Sequence, residues 1–116
     1  MTVRRYCLVA RITPEHAEEY RSRHAAVWPE MLQALHEAGW RNYSLFLAPD
    51  GLLVGYVESE DLDAAQRAMA ATAVNARWQA EMSQYFVADA ARPDEQFVHL
   101  DEVFNLEDQR EKADLT

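Results

Sequence analysis

The sequence predicts an α+β fold in which a four-stranded antiparallel sheet carries helices on one face. Three patterns lead to this prediction: an alternating apolar stretch over residues 3–12, two helical stretches with capping residues, and the turn-forming tripeptide Pro49-Asp50-Gly51 between two further apolar runs. With a last apolar run near residue 100, the elements follow the order β-α-β-β-α-β. This order is the ferredoxin-like arrangement.

The first strand is predicted over residues 3–12 because its side chains alternate between two faces. One face consists of Tyr6, Leu8, Ala10 and Ile12, and the other of Arg5, Cys7, Val9 and Arg11. A helix is expected to follow, with the Thr13 hydroxyl oxygen as its N-cap and Pro14 in its first turn. Its inward stripe consists of Ala17, Tyr20, His24, Val27, Met31, Leu35 and Ala38.

Pro29 is expected to kink or interrupt this helix, since a proline inside a helix has no backbone donor and its ring clashes with the preceding turn. Gly39 fits the left-handed position that ends many helices. The aromatic and aliphatic residues 40–48 predict a second strand, and residues 52–58 predict a third. The turn named above joins these two strands into a hairpin.

Two further helical pieces are predicted from residue 61 onwards, with Thr72 as the cap between them. The second piece places Val74, Trp78, Met82 and Phe86 on one face. A polar loop over residues 90–95 and a last strand over residues 97–104 complete the fold.

The 116 residues fit one domain, which we assign to residues 1–106, followed by a charged C-terminal tail at 107–116 that is expected to fray.

Lys and Arg total 11 against 20 Asp and Glu, and the net charge of -9 disfavours binding to nucleic acid or to anionic membranes. Cys7, the single cysteine, allows no internal disulfide and favours a reducing compartment, so a cytoplasmic location is expected. No signal peptide or membrane span is expected here, because the N-terminal apolar run is short and is interrupted by Arg11.

The open face of the predicted sheet is expected to be covered by a second copy of the chain. Cys7, Val9, Tyr43 and Leu45 are predicted to make that face too apolar to lie in water. A homodimer with its two sheets face to face covers this surface most simply. A monomer whose C-terminal segment folds across the sheet is the alternative.

Tyr20, His24 and Trp28 recur every four residues, so their side chains stack along one helix face and can line one pocket. The imidazole of His24 is suited to exchange protons near neutral pH, and a tyrosine hydroxyl donates or accepts a hydrogen bond. Aromatic rings also cover the apolar C–H faces of pyranose sugars. The same stripe is, however, typical of core packing with a half-buried histidine, and core packing is the commoner case.

Three more residues are candidates for a binding site. Tyr43 lies in the middle of the second strand, where packing is the usual role of a tyrosine. Trp78 and Gln79 on the late helix offer a ring and an amide that can bind paired hydroxyls, although Trp78 also suits the core.

No metal or paired-carboxylate site is expected. His16, His36 and His99 share no ligand spacing, and the first two fall near helix ends, where solvent exposure is usual. Asp101 and Glu102 are neighbours on a strand and point to opposite faces. The sequence also contains no phosphate-binding loop, nucleophile elbow or dinucleotide-binding fingerprint.

Several motifs together resemble the L-rhamnose mutarotase family in order and spacing. They are Tyr20-x-x-x-His24-x-x-x-Trp28-Pro29-Glu30, Asn42-Tyr43, Arg77-Trp78 and Glu102-Val103-Phe104, within a match that runs from about residue 3 to residue 106. The first motif is the most specific, because it places a proline inside an apolar helical stripe.

The resemblance implies a dimeric α+β barrel that interconverts the α and β anomers of L-rhamnose without cofactor or metal. It also implies that His24 donates a proton and that Tyr20 and Tyr43 bind the substrate. The family typically has two neighbouring tryptophans in the late helix, whereas here Gln79 follows Trp78. This difference affects sugar specificity more than proton transfer, because hydrogen bonds to hydroxyls distinguish one sugar epimer from another.

In such a reaction we expect His24 to protonate the ring oxygen O5 of a monosaccharide while Trp78 stacks on the sugar. The base at the hydroxyl on C1 is either a water molecule or one of the tyrosines. Two other functions are kept as alternatives: a cofactor-free monooxygenase on the same scaffold, since one fold hosts several chemistries, and a non-catalytic sugar-binding module.

Overall fold

The computed structural model describes residues 2–87 and 96–114 and confirms the predicted α+β fold. Its strands are β1 Arg4–Arg11, β2 Arg41–Leu47, β3 Leu52–Ser59 and β4 Val98–Leu100. Its helices are α1 Ala17–His24, α2 Pro29–Ala38, α3 Leu62–Ala70, α4 Ala73–Met82 and α5 Leu106–Lys112, with short 3-10 helices at Pro14–His16 and Ser83–Tyr85. The loop predicted over residues 90–95 lies outside the described residues. Within the described ranges, no helix has the length and apolar character needed to cross a membrane.

The four strands form one antiparallel sheet in the order β2-β3-β1-β4. Leu8 lies opposite Gly55 on one side and His99 on the other, and its buried side chain points towards the helices. Cys7 lies opposite Tyr56 and Leu100, so these three side chains share the other face. We call the second surface the open face, because large apolar side chains are exposed on it, namely Phe46, Val98 and Leu100; helix α5 reaches this face at Arg5.

The prediction that Tyr43 and Leu45 lie on the open face is wrong. Leu45 pairs with Gly55, and the Cδ2 of Leu45 and the Cε1 of Tyr43 lie 3.3 and 3.6 Å from the point where a Gly55 side chain would begin. Both side chains therefore lie on the helix-covered face, where the missing side chain of Gly55 leaves room for them. The large apolar residue of β2 that is exposed on the open face is Phe46, with 60% of its surface accessible.

The predicted interruption at Pro29 is confirmed. Helix α1 ends at His24, and α2 begins with Pro29 in its first position, where a missing N–H group costs nothing. Gly39 ends α2 in the left-handed conformation, with φ of 103°, as predicted. The N-cap assigned to the Thr13 hydroxyl is wrong: the first turn is a 3-10 turn in which the His16 N–H donates to the Thr13 carbonyl at 2.8 Å, and the hydroxyl makes no capping bond.

Side-chain caps begin the two later helices. The Asp61 carboxylate accepts a hydrogen bond from the Ala64 N–H at 3.1 Å, and the Thr72 hydroxyl accepts one from the Asn75 N–H at 3.2 Å. The predicted role of Thr72 is therefore confirmed. These caps satisfy backbone donors that the first helical turn leaves without partners.

The C-terminal region differs from the prediction in two ways. The last strand covers Val98–Leu100 rather than residues 97–104, because the chain then leaves β1 and its side chains turn to solvent: Val103 is 91% exposed. The segment predicted as a frayed tail forms most of α5, which the Asn105 side chain caps. Acidic residues in the first turn of α5 and basic residues in its last turn suit the helix dipole. The Arg5 side chain forms ion pairs with Glu102, which precedes α5, and with Asp108 in its first turn.

The two left-handed glycines provide a paired test of the turns. Alanine at either position would strain the backbone by about 1–2 kcal/mol. At Gly39 an added methyl group meets nothing closer than 3.8 Å, whereas at Gly51 it would collide with the Ile12 carbonyl oxygen. We expect Gly51→Ala to lower the free energy of unfolding by a further 1–3 kcal/mol or so relative to Gly39→Ala, as measured by urea denaturation. Equal losses in the two variants would contradict this packing.

Candidate functional site

A cavity of about 520 Å³ lies between the helices and the sheet. Its aromatic lining consists of Tyr20, Trp40, Tyr43, Trp78, Phe86 and Phe97. Its polar lining consists of Asp63, Gln66, Arg67, Asn75, Gln79 and His99. A cavity of this size, mostly apolar with a few polar groups, is typical of small-molecule sites.

Four of the residues predicted from the sequence line this cavity. Tyr20 comes from α1, Tyr43 from β2, and Trp78 and Gln79 from α4. The fold thus brings together side chains that are up to 59 positions apart in the chain, between Tyr20 and Gln79.

His24 lies directly behind this wall and is not part of the lining. Its ring stacks on Tyr20 with centroids 4.1 Å apart and meets the Trp78 ring edge-on at 5.3 Å. Trp28 has a similar position, since its ring meets Trp78 edge-on at 5.0 Å. The role of His24 in catalysis therefore stays a prediction.

One ring nitrogen of His24 is fixed by the backbone. Its Nδ1 lies 2.9 Å from the Tyr20 carbonyl oxygen, which makes Nδ1–H the donor. The Nε2 atom has no hydrogen-bond partner among residues 2–87 and 96–114. Burial lowers the pKa of the imidazole, and the bond to Tyr20 only partly opposes this effect. Burial thus favours a neutral ring whose Nε2 is free to accept a proton.

Tyr20 is the more deeply buried of the two tyrosines in the cavity wall, with 5% of its surface exposed. Burial raises the pKa of its phenol, and the nearby Tyr43 raises it further. Tyr20 is therefore protonated at any physiological pH and offers its O–H to a ligand. Tyr43 lines the same cavity from β2.

Gln79 makes a hydrogen bond within the wall rather than pointing freely into the cavity. Its Nε2 donates to the Asn75 Oδ1 at 2.9 Å, one helical turn earlier. Asn75 is only 2% exposed. The amide pair forms the polar part of the wall on α4.

Sequence reasoning missed five polar lining residues: Asp63, Gln66, Arg67, Asn75 and His99. Gln66 and Arg67 follow Asp63 by three and four positions, a spacing that indicates one shared helix face. His99 was considered only as a metal ligand, and its place in the wall follows from its register opposite Leu8. Among the described residues, no group of three potential ligands is arranged to hold a metal ion.

Solvent exposure was predicted for His16 and His36, and it is confirmed for His36 alone. His36 is exposed, as predicted, but His16 is partly buried against Tyr85, with ring centroids 5.9 Å apart. Packing of the 3-10 turn against the end of α4 explains the burial of His16, and its Nδ1 has no hydrogen-bond partner in the described structure.

Comparison with known proteins gives consistent matches. The L-rhamnose mutarotase family model matches residues 5–106. An L-rhamnose mutarotase from Pectobacterium atrosepticum is 36% identical over 106 residues, covering 89% of this chain and 98% of that protein. One from Enterococcus faecalis is 38% identical over 79 residues, covering 67% of this chain and 74% of that protein.

Solved structures share the fold. The crystal structure of an L-rhamnose mutarotase from Formosa agariphila matches with a TM-score of 0.71 at 23% identity, covering 89% of this chain and 98% of that one. A Nitrosomonas europaea protein described as an antibiotic biosynthesis monooxygenase matches with a TM-score of 0.57 at 13% identity, covering 88% of this chain and 91% of that one. Identities this low show the fold alone, so the choice between activities depends on the sequence matches. Because the family model spans most of the chain, and a relative at 36% identity spans nearly all of its own length, this chain belongs to the L-rhamnose mutarotase family.

Proposed function

We propose that this chain interconverts the α and β anomers of L-rhamnose, or of a closely related aldose, by opening and reclosing the sugar ring. The observation that carries the proposal is a cavity large enough for a monosaccharide whose wall contains Tyr20, Tyr43 and Trp78, with the His24 ring packed directly against it, in a member of this family. Such a reaction makes the chain an isomerase acting on a carbohydrate.

The chemistry needs one proton to arrive and one to leave. Protonation of the ring oxygen O5 accompanies cleavage of the C1–O5 bond, while the hydroxyl on C1 loses its proton and becomes the aldehyde oxygen. Rotation about C1–C2 followed by the reverse steps closes the ring from the other face. General acid and base groups suffice for these transfers.

We assign the proton delivered to O5 to His24, acting through Nε2. Since Nδ1–H donates to the Tyr20 carbonyl, Nε2 carries a proton only when the ring is an imidazolium. The raised pKa of Tyr20 makes it a hydrogen-bond donor that orients the sugar rather than a base. The base at the C1 hydroxyl is then Tyr43 or a water molecule, and Trp78 stacks on the sugar while Gln79 binds hydroxyls.

The role of His24 is testable by replacing it. Because a positioned histidine contributes roughly 10²–10⁴ in rate, we expect His24→Ala to slow anomer exchange of L-rhamnose by about that factor, as measured by NMR saturation transfer. His36→Ala is the matched control, since His36 is an exposed histidine on α2 outside the cavity, and it should keep the wild-type rate. Undiminished exchange in His24→Ala would remove His24 from the mechanism.

The pH dependence tests the direction of proton transfer. Burial places the pKa of His24 below its ordinary value of about 6.5, so the imidazolium fraction grows as pH falls below neutrality. The enzymatic part of the rate, after subtraction of spontaneous exchange, should therefore rise between pH 7 and pH 5 or so, and His24→Ala should lack this rise. An enzymatic rate that falls on acidification would instead assign His24 as the base.

The alternative functions lack a specific supporting observation. The monooxygenase shares only the fold with this chain. If no aldose anomer exchange is accelerated, oxygen uptake with a polycyclic phenol would support that activity, and stabilisation by a sugar without exchange would support a binding module.

We also propose a homodimer formed through the open face. Phe46, Val98 and Leu100 are each at least half exposed there, next to the partly buried Cys7 and Val9. A continuous apolar surface of this kind is typical of an interface. The dimer is favoured over the alternative in which the C-terminal segment of the same chain covers the sheet, because α5 is tied to the Arg5 end of β1 and leaves these side chains exposed. A cytoplasmic location stays a prediction from the single cysteine.

A charge on the open face should break the dimer. We expect Phe46→Asp to shift the sedimentation coefficient from that of two chains to that of one, because a buried unpaired carboxylate is costly. Leu32→Asp is the control, since Leu32 is 52% exposed on α2 at the other side of the molecule. A monomeric wild-type protein, or a dimer that survives in Phe46→Asp, would refute the proposed interface.

A further inference from the structure

The polar part of the cavity wall contains a fixed amide pair. Asn75 is 2% exposed and lines the cavity together with Gln79, which is partly buried one turn later on α4. The Gln79 Nε2 donates to the Asn75 Oδ1 at 2.9 Å. An amide this deep in a wall needs hydrogen-bond partners, so its orientation matters for what the cavity accepts.

The bond determines which Gln79 atoms remain for a ligand. One of the two Gln79 Nε2 hydrogens donates to Asn75. The Gln79 Oε1 acceptor and the second Nε2 hydrogen remain for a ligand, and the bond to Asn75 sets their directions. Asn75 is itself held in place, because its backbone N–H donates to the Thr72 hydroxyl that caps α4. The Gln79 amide is thus held in its orientation before any ligand enters.

The chain contains an internal contrast to this pair. On α2, Gln33 donates to Glu37 at 3.0 Å with the same four-residue spacing, but both residues are exposed and neither lines the cavity. A pair of that kind supports only its own helix. The pair on α4 differs from it by burial and by facing the cavity, which indicates a role beyond the helix.

We propose that Asn75 is a positioning residue that orients the Gln79 amide to bind a hydroxyl of a neutral aldohexose, so that this pair sets which aldose the protein prefers. The inference rests on the proposed function, since it takes the cavity as the aldose site. Asn75 acts through Gln79 and touches neither reacting oxygen.

The test measures sugar preference in a double-mutant cycle. Anomer exchange and calorimetric binding are measured for L-rhamnose, for L-mannose, which has one more hydroxyl, and for L-fucose, whose hydroxyls differ in orientation. We expect Gln79→Leu and Asn75→Ala to change the preference among these sugars in the same direction, by roughly tenfold for one lost hydrogen bond. The double variant should change it no more than Gln79→Leu alone, because Asn75 acts through Gln79.

Two further variants separate positioning from a structural role. Asn75→Asp keeps the acceptor for the Gln79 amide and should retain the wild-type preference better than Asn75→Ala. Gln33→Leu removes the exposed pair on α2 and should leave the preference unchanged. Loss of folded protein lowers the rate for every sugar alike and leaves their ratios as they are, so the ratio reports positioning even in a destabilised variant.

The outcomes distinguish failure of the positioning role of Asn75 from failure of the proposed mutarotase activity. If Gln79→Leu and Asn75→Ala keep the wild-type preference, or if Asn75→Ala still changes it in the Gln79→Leu background, the positioning role is wrong although the mutarotase activity stands. If the wild type binds sugars with a preference that the amide pair controls but accelerates no exchange, the proposed function fails and the positioning role holds. If the wild type binds none of the three sugars, the positioning role fails as well.

Discussion

The contacts of the Trp78 ring hold the candidate site together. His24 and Trp28 lie on either side of the break before Pro29, and Trp78 on α4 meets both rings edge-on, at 5.3 and 5.0 Å. Edge-to-face packing of buried rings is specific in geometry as well as favourable in energy. The break in the first helix therefore does not separate its two halves, and Tyr20 on α1 and Met31 on α2 line the same cavity.

Features that depend on a few neighbouring residues were predictable from the sequence. The break at Pro29 and the cap at Thr72 follow from backbone chemistry that operates within one helical turn. The Thr13 hydroxyl is chemically able to cap a helix in the same way, but the chain forms a 3-10 turn in which the Thr13 carbonyl accepts the hydrogen bond from the His16 N–H. The face of β2 was not predictable, because it depends on the pairing of Leu45 with Gly55, a residue from another strand.

The candidate site was predictable only in part, for the same reason. Spacing along α1 correctly grouped Tyr20 and His24, yet only the folded chain shows that the Tyr20 ring lines the cavity and the His24 ring stacks behind it. Asn75 gave no signal, because a single asparagine in a helix is more often exposed than buried. His99 enters the wall through strand register, which its own neighbours in sequence do not specify.

The distribution of charge fits an uncharged ligand. In the protein interior, burial raises the pKa of Tyr20 and lowers the pKa of His24. Burial therefore favours the neutral form of both groups. Outside, exposed ion pairs join α4 to its neighbours, as the contact between Arg77 and Glu30 at 3.2 Å shows. A sugar has no charge to lose on entering such a cavity, and its hydroxyls meet donors and acceptors whose hydrogen bonds are stronger there than in water. Most charged side chains therefore lie on the surface, while the cavity lining consists mainly of rings, aliphatic groups and neutral polar groups, with Asp63 and Arg67 as its charged members.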